Sequence, residues 1–131
     1  MKAINTLLVD DNPEFIEAAK RFLSSEKHFN VIGTALSGQE AIDQVKKLKP
    51  DLVLIDLAMP GMNGLEATQR IKSEPGCPRV IILTLHNTPA YREASDSVGA
   101  DGFVTKSDFG VRLLPLIEIM FGEVESAIPT S

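Results

Sequence analysis

The chain is poor in the features that mark several large protein classes. It has one cysteine, Cys77, among 131 residues. No disulfide can therefore form within it, and Cys77 reads as a small residue in the loop Pro75–Pro78. No apolar run approaches the roughly 20 residues of a membrane span, so a membrane association is not expected. The opening segment, MKAINTLLVDD, reaches two aspartates too early to hold a signal-peptide apolar region. The cytoplasm is the expected compartment. There is no internal repeat at a period of about 20–50 residues. No GxxxxGK[ST] occurs, which removes the P-loop nucleotide-binding reading of LVLID. The two histidines, His28 and His86, have no second His or Cys nearby in sequence, so a zinc site is not expected. Net charge is −5. Direct contact of this segment with nucleic acid is not expected, since phosphate contacts need Lys and Arg.

What is present is globular. Hydrophobic residues make up 44% and charged residues 24%, the balance of a single folded domain. The central stretch is DLVLIDLAMPGMNG, 51–64. Its apolar run Leu52–Ile55 reads as a strand buried on both faces. Asp56 follows, and a buried unpaired carboxylate would be costly. Asp56 is therefore expected at the strand's carboxyl end, beside something that offsets its charge.

Further apolar strands are expected at Ile4–Val9, within Phe29–Leu36, at Val80–Leu83 and at Phe103–Thr105. Helices are expected between them. The first opens at Asn12-Pro13-Glu14, with Phe15, Ala18, Ala19, Phe22 and Leu23 on one face, and ends near Glu26. The second is capped by Ser37 and buries Ala41, Ile42, Val45 and Leu48, with lysines in its last turn. The third begins at Asn63 or Gly64, with Leu65, Thr68 and Ile71 on one side. The fourth starts near Thr88, carries Ala90, Tyr91, Ala94 and Val98, and stops at Gly99 in a left-handed cap. The fifth presents Leu113, Leu116, Ile117 and Met120 to the core and ends at Gly122. Its Pro115 requires a late start, near Val111 or beyond. Strand and helix alternate five times, which predicts a parallel sheet with helices on both faces and right-handed crossovers.

Most strands end on a group with chemistry: Asp10 and Asp11, Asp56, Thr84, Lys106. In a parallel sheet all carboxyl ends share one edge, and ligands bind there where strand order reverses. Those residues converge if the order is 2-1-3-4-5. Two carboxylates ~4 Å apart repel by about 4 kcal/mol at an effective dielectric near 20. Either one takes a proton or a cation sits among them. Oxygen ligands with retained water are the magnesium pattern. Lys106 would only weaken simple cation storage. A metal, an ammonium and the Thr84 hydroxyl around one carboxylate instead suit the three oxygens of a phosphoryl group.

Four motifs at these positions resemble the receiver domain of two-component response regulators. They are LLVDDNPEF, LVLIDLAMPGMNGLE, VIILT and GADGFVTKS. The wording is most similar to receivers of LuxR-type transcriptional regulators. The resemblance covers about 3–122, leaving 123–131 as a tail or the start of an interdomain linker. It implies a flavodoxin-like (CheY-like) three-layer sandwich, with a five-stranded parallel sheet of order 2-1-3-4-5 and five helices.

The resemblance also implies roles. Asp56 is the phosphoacceptor for a sensor histidine kinase or phosphotransfer protein. Asp10, Asp11, Asp56 and the backbone carbonyl of Ala58 hold Mg2+, Asp11 directly and Asp10 through water. Thr84 and Lys106 bond the phosphoryl oxygens. Thr84 and Phe103 form a switch that reshapes the face of helix 4, strand 5 and helix 5, with dimerisation on phosphorylation and a DNA-binding helix-turn-helix output beyond residue 131. The chain is then a signalling phosphoacceptor, not an enzyme. Two departures stand out. Ser107 replaces the proline that often follows the family's lysine, so a trans bond is expected. Leu85 is bulky beside the site, with His86 next to it, and could alter dephosphorylation.

Two alternatives remain at this point. A Mg2+-dependent aspartyl-phosphate hydrolase would carry a second carboxylate at position 58, where Ala58 stands. A phosphorylation-independent docking receiver is opposed by the complete set of acids, Thr84 and Lys106.

Overall fold

The computed structural model describes residues 3–121. The expected end of the last helix at Gly122 and the tail 123–131 lie outside the described residues. Five strands, β1 (Ile4–Val9), β2 (Phe29–Ala35), β3 (Leu52–Asp56), β4 (Arg79–Thr84) and β5 (Gly102–Thr105), alternate with helices α1 (Pro13–Ser24), α2 (Gly38–Leu48), α3 (Gly64–Lys72), α4 (Pro89–Ser97) and α5 (Phe109–Phe121). The strands form one sheet in the order β2-β1-β3-β4-β5, and every neighbouring pair is parallel. Order and element count are those expected from sequence.

Successive side chains of a strand point to opposite faces, so each strand feeds two cores. Leu8, Leu54, Ile81 and Leu83 pack with Ala19 and Leu23 of α1 and with Leu113 and Ile117 of α5. Leu7, Val9, Val53, Ile55, Val80 and Ile82 pack with Ala41, Ile42, Ala67 and Ile71 of α2 and α3. β3 lies at the centre, and Leu52 to Ile55 have no solvent exposure. Burying each such side chain contributes about 1.5–3 kcal/mol, enough for this strand to carry one poorly compensated carboxylate at its end.

Helix entry follows the local chemistry. Asn12, Ser37, Asn63 and Thr88 each accept a hydrogen bond from a backbone N–H of the following turn. Gly99, just past α4, has φ +88° and closes that helix as expected.

Three expectations need correction. Ile16 rather than Ala18 faces the core of α1, and Ala18 is exposed. In α4, Ala90 and Tyr91 are exposed, and the buried residue is Ser95, whose hydroxyl donates to the Tyr91 carbonyl. That internal hydrogen bond is what makes a polar residue tolerable there. Finally, α5 starts at Phe109, after a single 3-10 turn Lys106–Asp108, so Pro115 sits well inside it. Pro115 and Val111 are both exposed, so the turn that lacks the proline's hydrogen bond lies on the outer side of α5.

Candidate functional site

The carboxyl ends of β1, β3, β4 and β5 bring Asp10, Asp11, Asp56, Thr84 and Lys106 to one edge. Carboxylate oxygens of Asp10, Asp11 and Asp56 lie within 4.8 Å of one another. Asp10 and Asp56 are buried, whereas Asp11 is open to solvent. One oxygen of Asp10 accepts from the Asn12 backbone N–H at 2.9 Å. Lys106 reaches in from the end of β5. Its Nζ lies 2.6 Å from Asp10 Oδ2 and 3.6 Å from Asp56 Oδ1. The closer contact is a charge contact without hydrogen-bond alignment, and Asp10 Oδ2 has no directed donor.

Asp56 has its pKa raised from 3.8 to about 6. Burial is the main cause, and the neighbouring Asp10 charge adds to it. Lys106 and a hydrogen bond from the Ala58 backbone oppose the shift without cancelling it. The site therefore holds more negative charge than its single ammonium offsets.

The local chain explains why Asp56 stands where it does. The loop after β3 doubles back, and the Gly64 N–H donates to the Leu57 carbonyl at 2.9 Å. A Cβ at Gly64 would overlap the carbonyl oxygen of Asp56, so only glycine lets α3 start this close to the strand end. Leu57 N–H donates to the Leu83 carbonyl, tying the same turn to β4. Thr84 is buried, and its hydroxyl accepts from the His86 N–H at 3.2 Å. Leu85 and His86 are exposed. Phe103 is half-buried, with the Arg92 guanidinium 4.8 Å from its ring centre. The peptide bond between Lys106 and Ser107 is trans.

The donor set suits Mg2+. It is all oxygen, carries excess negative charge, keeps one carboxylate open to water, and includes a buried oxygen without a directed donor. Asp10, Asp11, Asp56 and the exposed Ala58 backbone are the residues that could hold it.

Sequence reasoning missed three neighbours. Phe15 of α1 packs its ring 4.4 Å from Lys106 Nζ. Gly64 is required by close approach. At the opposite edge, Asp101 joins Lys72 and Arg79. The glycine was legible as part of the Asn63-Gly64 turn. The other two connect residues distant in the chain.

An open parallel sheet of this order, with a lysine-flanked cluster of acids at its carboxyl edge, defines the CheY-like class of α/β folds. The model of the response regulator receiver domain matches residues 6–117, and the chain belongs to that family. It is 30% identical over 117 residues to the transcriptional regulatory protein DegU of Brevibacillus brevis, covering 89% of this chain and 50% of that protein. It matches the crystal structure of a LuxR-family two-component response regulator from Aurantimonas sp. SI85-9A1 with TM-score 0.86 and 32% identity, over 93% of this chain and 87% of the other. A chain of the CheX–CheY–BeF3–Mg2+ complex from Borrelia burgdorferi matches with TM-score 0.83 and 27% identity, over 92% and 90%. The chain spans about half the length of the curated response-regulator and transcriptional-regulator relatives it matches. Most curated relatives carry regulator names, and one is named as a protein-glutamate methylesterase/protein-glutamine glutaminase. No helix among the described residues is long and apolar enough to cross a membrane.

Proposed function

We propose that this receiver accepts a phosphoryl group on Asp56 from a sensor histidine kinase or phosphotransfer protein. The observation that carries the reading is three carboxylates within 4.8 Å of one another facing a single ammonium at the sheet's carboxyl edge. At neutral pH Asp56 is mostly ionised, since its pKa lies near 6. One of its oxygens forms the new P–O bond as the P–N bond to the donor imidazole breaks, and the imidazole nitrogen takes up a proton. The product is an acyl phosphate. Lys106 and the Thr84 hydroxyl bond the transferred oxygens. Mg2+, held by Asp10, Asp11, Asp56 and the Ala58 carbonyl, supplies further positive charge when bound. Such transfers depend on positioning and charge neutralisation more than on covalent help.

The output is a population shift. Thr84 leaves its contact with the His86 N–H for the phosphoryl group, Phe103 moves with it, and the α4–β5–α5 face changes shape. That face serves a phosphorylation-dependent homodimer and a DNA-binding output domain outside this segment, in a cytoplasmic regulator whose receiver spans 3–122. The chain is a signalling phosphoacceptor rather than an enzyme. Ala58, with no side-chain carboxylate, disfavours a hydrolase.

The test is incubation with a small-molecule phosphodonor and Mg2+. The expected result is one hydroxylamine-labile phosphoryl group per chain, absent from Asp56→Asn and absent when the metal is chelated. No adduct with any donor would favour the docking receiver. Solution mass measured with and without the adduct tests the dimer, and an unchanged mass would remove it.

A further inference from the structure

We infer that Phe15 is a positioning residue for Lys106, an inference that rests on the phosphoacceptor reading above. Lys106 has three neighbours of different kinds. Two are the carboxylates of Asp10 and Asp56, at 2.6 and 3.6 Å. The third is the face of the Phe15 ring, whose centre is 4.4 Å from Nζ. An ammonium at that distance is attracted by the negative face of the ring quadrupole. The contact is shielded, because the Lys106 side chain is only 12% exposed.

Phe15 is itself held. Its ring meets Phe109 edge-on, with centroids 5.8 Å apart and planes at 69°. Phe22, two turns further along the same face of α1, also packs on Phe109, with centroids 5.4 Å apart. Phe109 directly follows the 3-10 turn Lys106–Asp108. The aromatic pile therefore fixes this lysine twice: Phe109 anchors the segment that carries it, and Phe15 takes its charged head.

The carboxylates alone could not keep the ammonium in place. A cation bound by Asp10 and Asp11 competes for the charge that now holds Lys106 to Asp10. A phosphoryl group on Asp56 replaces the carboxylate charge with its own, on oxygens placed differently from the one that faces Lys106 here. The ring changes with neither event. It holds the ammonium beside Asp56 at each stage, through a contact that competes with no ligand. Plain core packing would explain an apolar residue at position 15, but it would not distinguish an aromatic ring from leucine.

The experiment uses that distinction. Phe15→Leu keeps apolar bulk and removes the ring face, whereas Phe15→Tyr keeps the face. Labelling of Asp56 by a small phosphodonor with Mg2+ is expected to slow about three- to tenfold in Phe15→Leu, the range that one shielded cation–π contact supports. Phe15→Tyr is expected to label at close to the wild-type rate. Adding Phe15→Leu to Lys106→Ala should slow labelling no further, because the two act as a unit. A second readout needs no phosphodonor. In wild type and Phe15→Tyr the Lys106 ε-methylene proton resonances should be shifted upfield by the ring current, and in Phe15→Leu they should return to ordinary lysine positions. Equal labelling rates in wild type and Phe15→Leu, an undiminished effect in the Lys106→Ala background, or unshifted ε-methylene signals in wild type would each overturn the proposal. Wild-type protein that shows the upfield signals but takes no phosphoryl group would sink the phosphoacceptor reading, and the positioning role with it.

Discussion

The two edges of the sheet each gather aspartates and basic residues, and they treat charge in opposite ways. At the amino edge, Asp101 faces two cations, Lys72 Nζ at 2.8 Å and Arg79 at 3.6 Å. It also accepts from the Val80 backbone N–H at 2.8 Å, and Lys72 donates to the Pro78 carbonyl at 3.0 Å. Each group has a partner, and the cluster ties α3, β4 and the entry to β5 together. At the carboxyl edge, three acids share one lysine, and a buried oxygen of Asp10 lacks a directed donor. Similar residues build a structural tie in one place and an excess of negative charge in the other. What separates them is the ratio of charges and whether each lone pair is answered.

The sharpest way to break this contrast is to lower that excess. Asp11→Asn should slow Mg2+-dependent labelling of Asp56 a hundredfold or more, since metal-derived charge stabilisation amounts to several kcal/mol. It should also reduce the rise in melting temperature that Mg2+ gives the wild type. Rate and melting measurements across a Mg2+ series check both.

Next in size is the cost of Asp56 itself. Its carboxyl has a folded pKa of about 6 against 3.8 for the unfolded chain. Folding therefore favours the protonated form. The stability carried by that proton is full below about pH 4 and is lost as pH rises through 6, a difference of about 3 kcal/mol by linkage. Metal-free Asp56→Asn should thus be more stable than wild type at pH 8 by about 2–3 kcal/mol. The gain should shrink between pH 6 and pH 4. Denaturant unfolding in a chelating buffer at several pH values measures it, and a pH-independent difference would refute the account of its cause.

The smallest expected effect comes from the other edge. Asp101→Ala leaves Lys72 and the Val80 N–H without their acceptor. It should cost about 2 kcal/mol, less than a fully buried pair because both side chains keep some contact with water. Labelling of Asp56 should stay unchanged. If this variant lost labelling while staying folded, the division into a structural and a functional edge would be wrong.

Much of this was readable in the sequence, for local reasons. β3 was legible because a short apolar run bounded by turn residues has few other solutions. Asn12 and Ser37 were legible as caps, and Asn63 and Thr88 as helix starts, because each acts within its own turn. The convergence of Asp10, Asp11, Asp56, Thr84 and Lys106 followed from parallel strands sharing one edge. α4 was harder. It meets the sheet mainly at β5, an edge strand, so its apolar residues need not all be buried, and Ser95 satisfies its own hydroxyl. Pro115 misled because its penalty depends on which side of α5 faces water. The pairing of Lys106 with Asp10, the ring of Phe15 beside it and the Asp101 cluster were not legible. The first depends on how far the Lys106 side chain reaches along the sheet's edge, and the other two on how α1 and α3 dock on the sheet.

The central claim is that the carboxyl-edge excess of negative charge is used for chemistry at Asp56. The most direct test is borohydride reduction of protein treated with a phosphodonor and Mg2+, followed by peptide sequencing. An aspartyl phosphate is reduced to homoserine, which records the acceptor permanently. Homoserine at position 56 alone is the predicted result. Homoserine at position 10 or 11, or none in protein that remains folded, would contradict it.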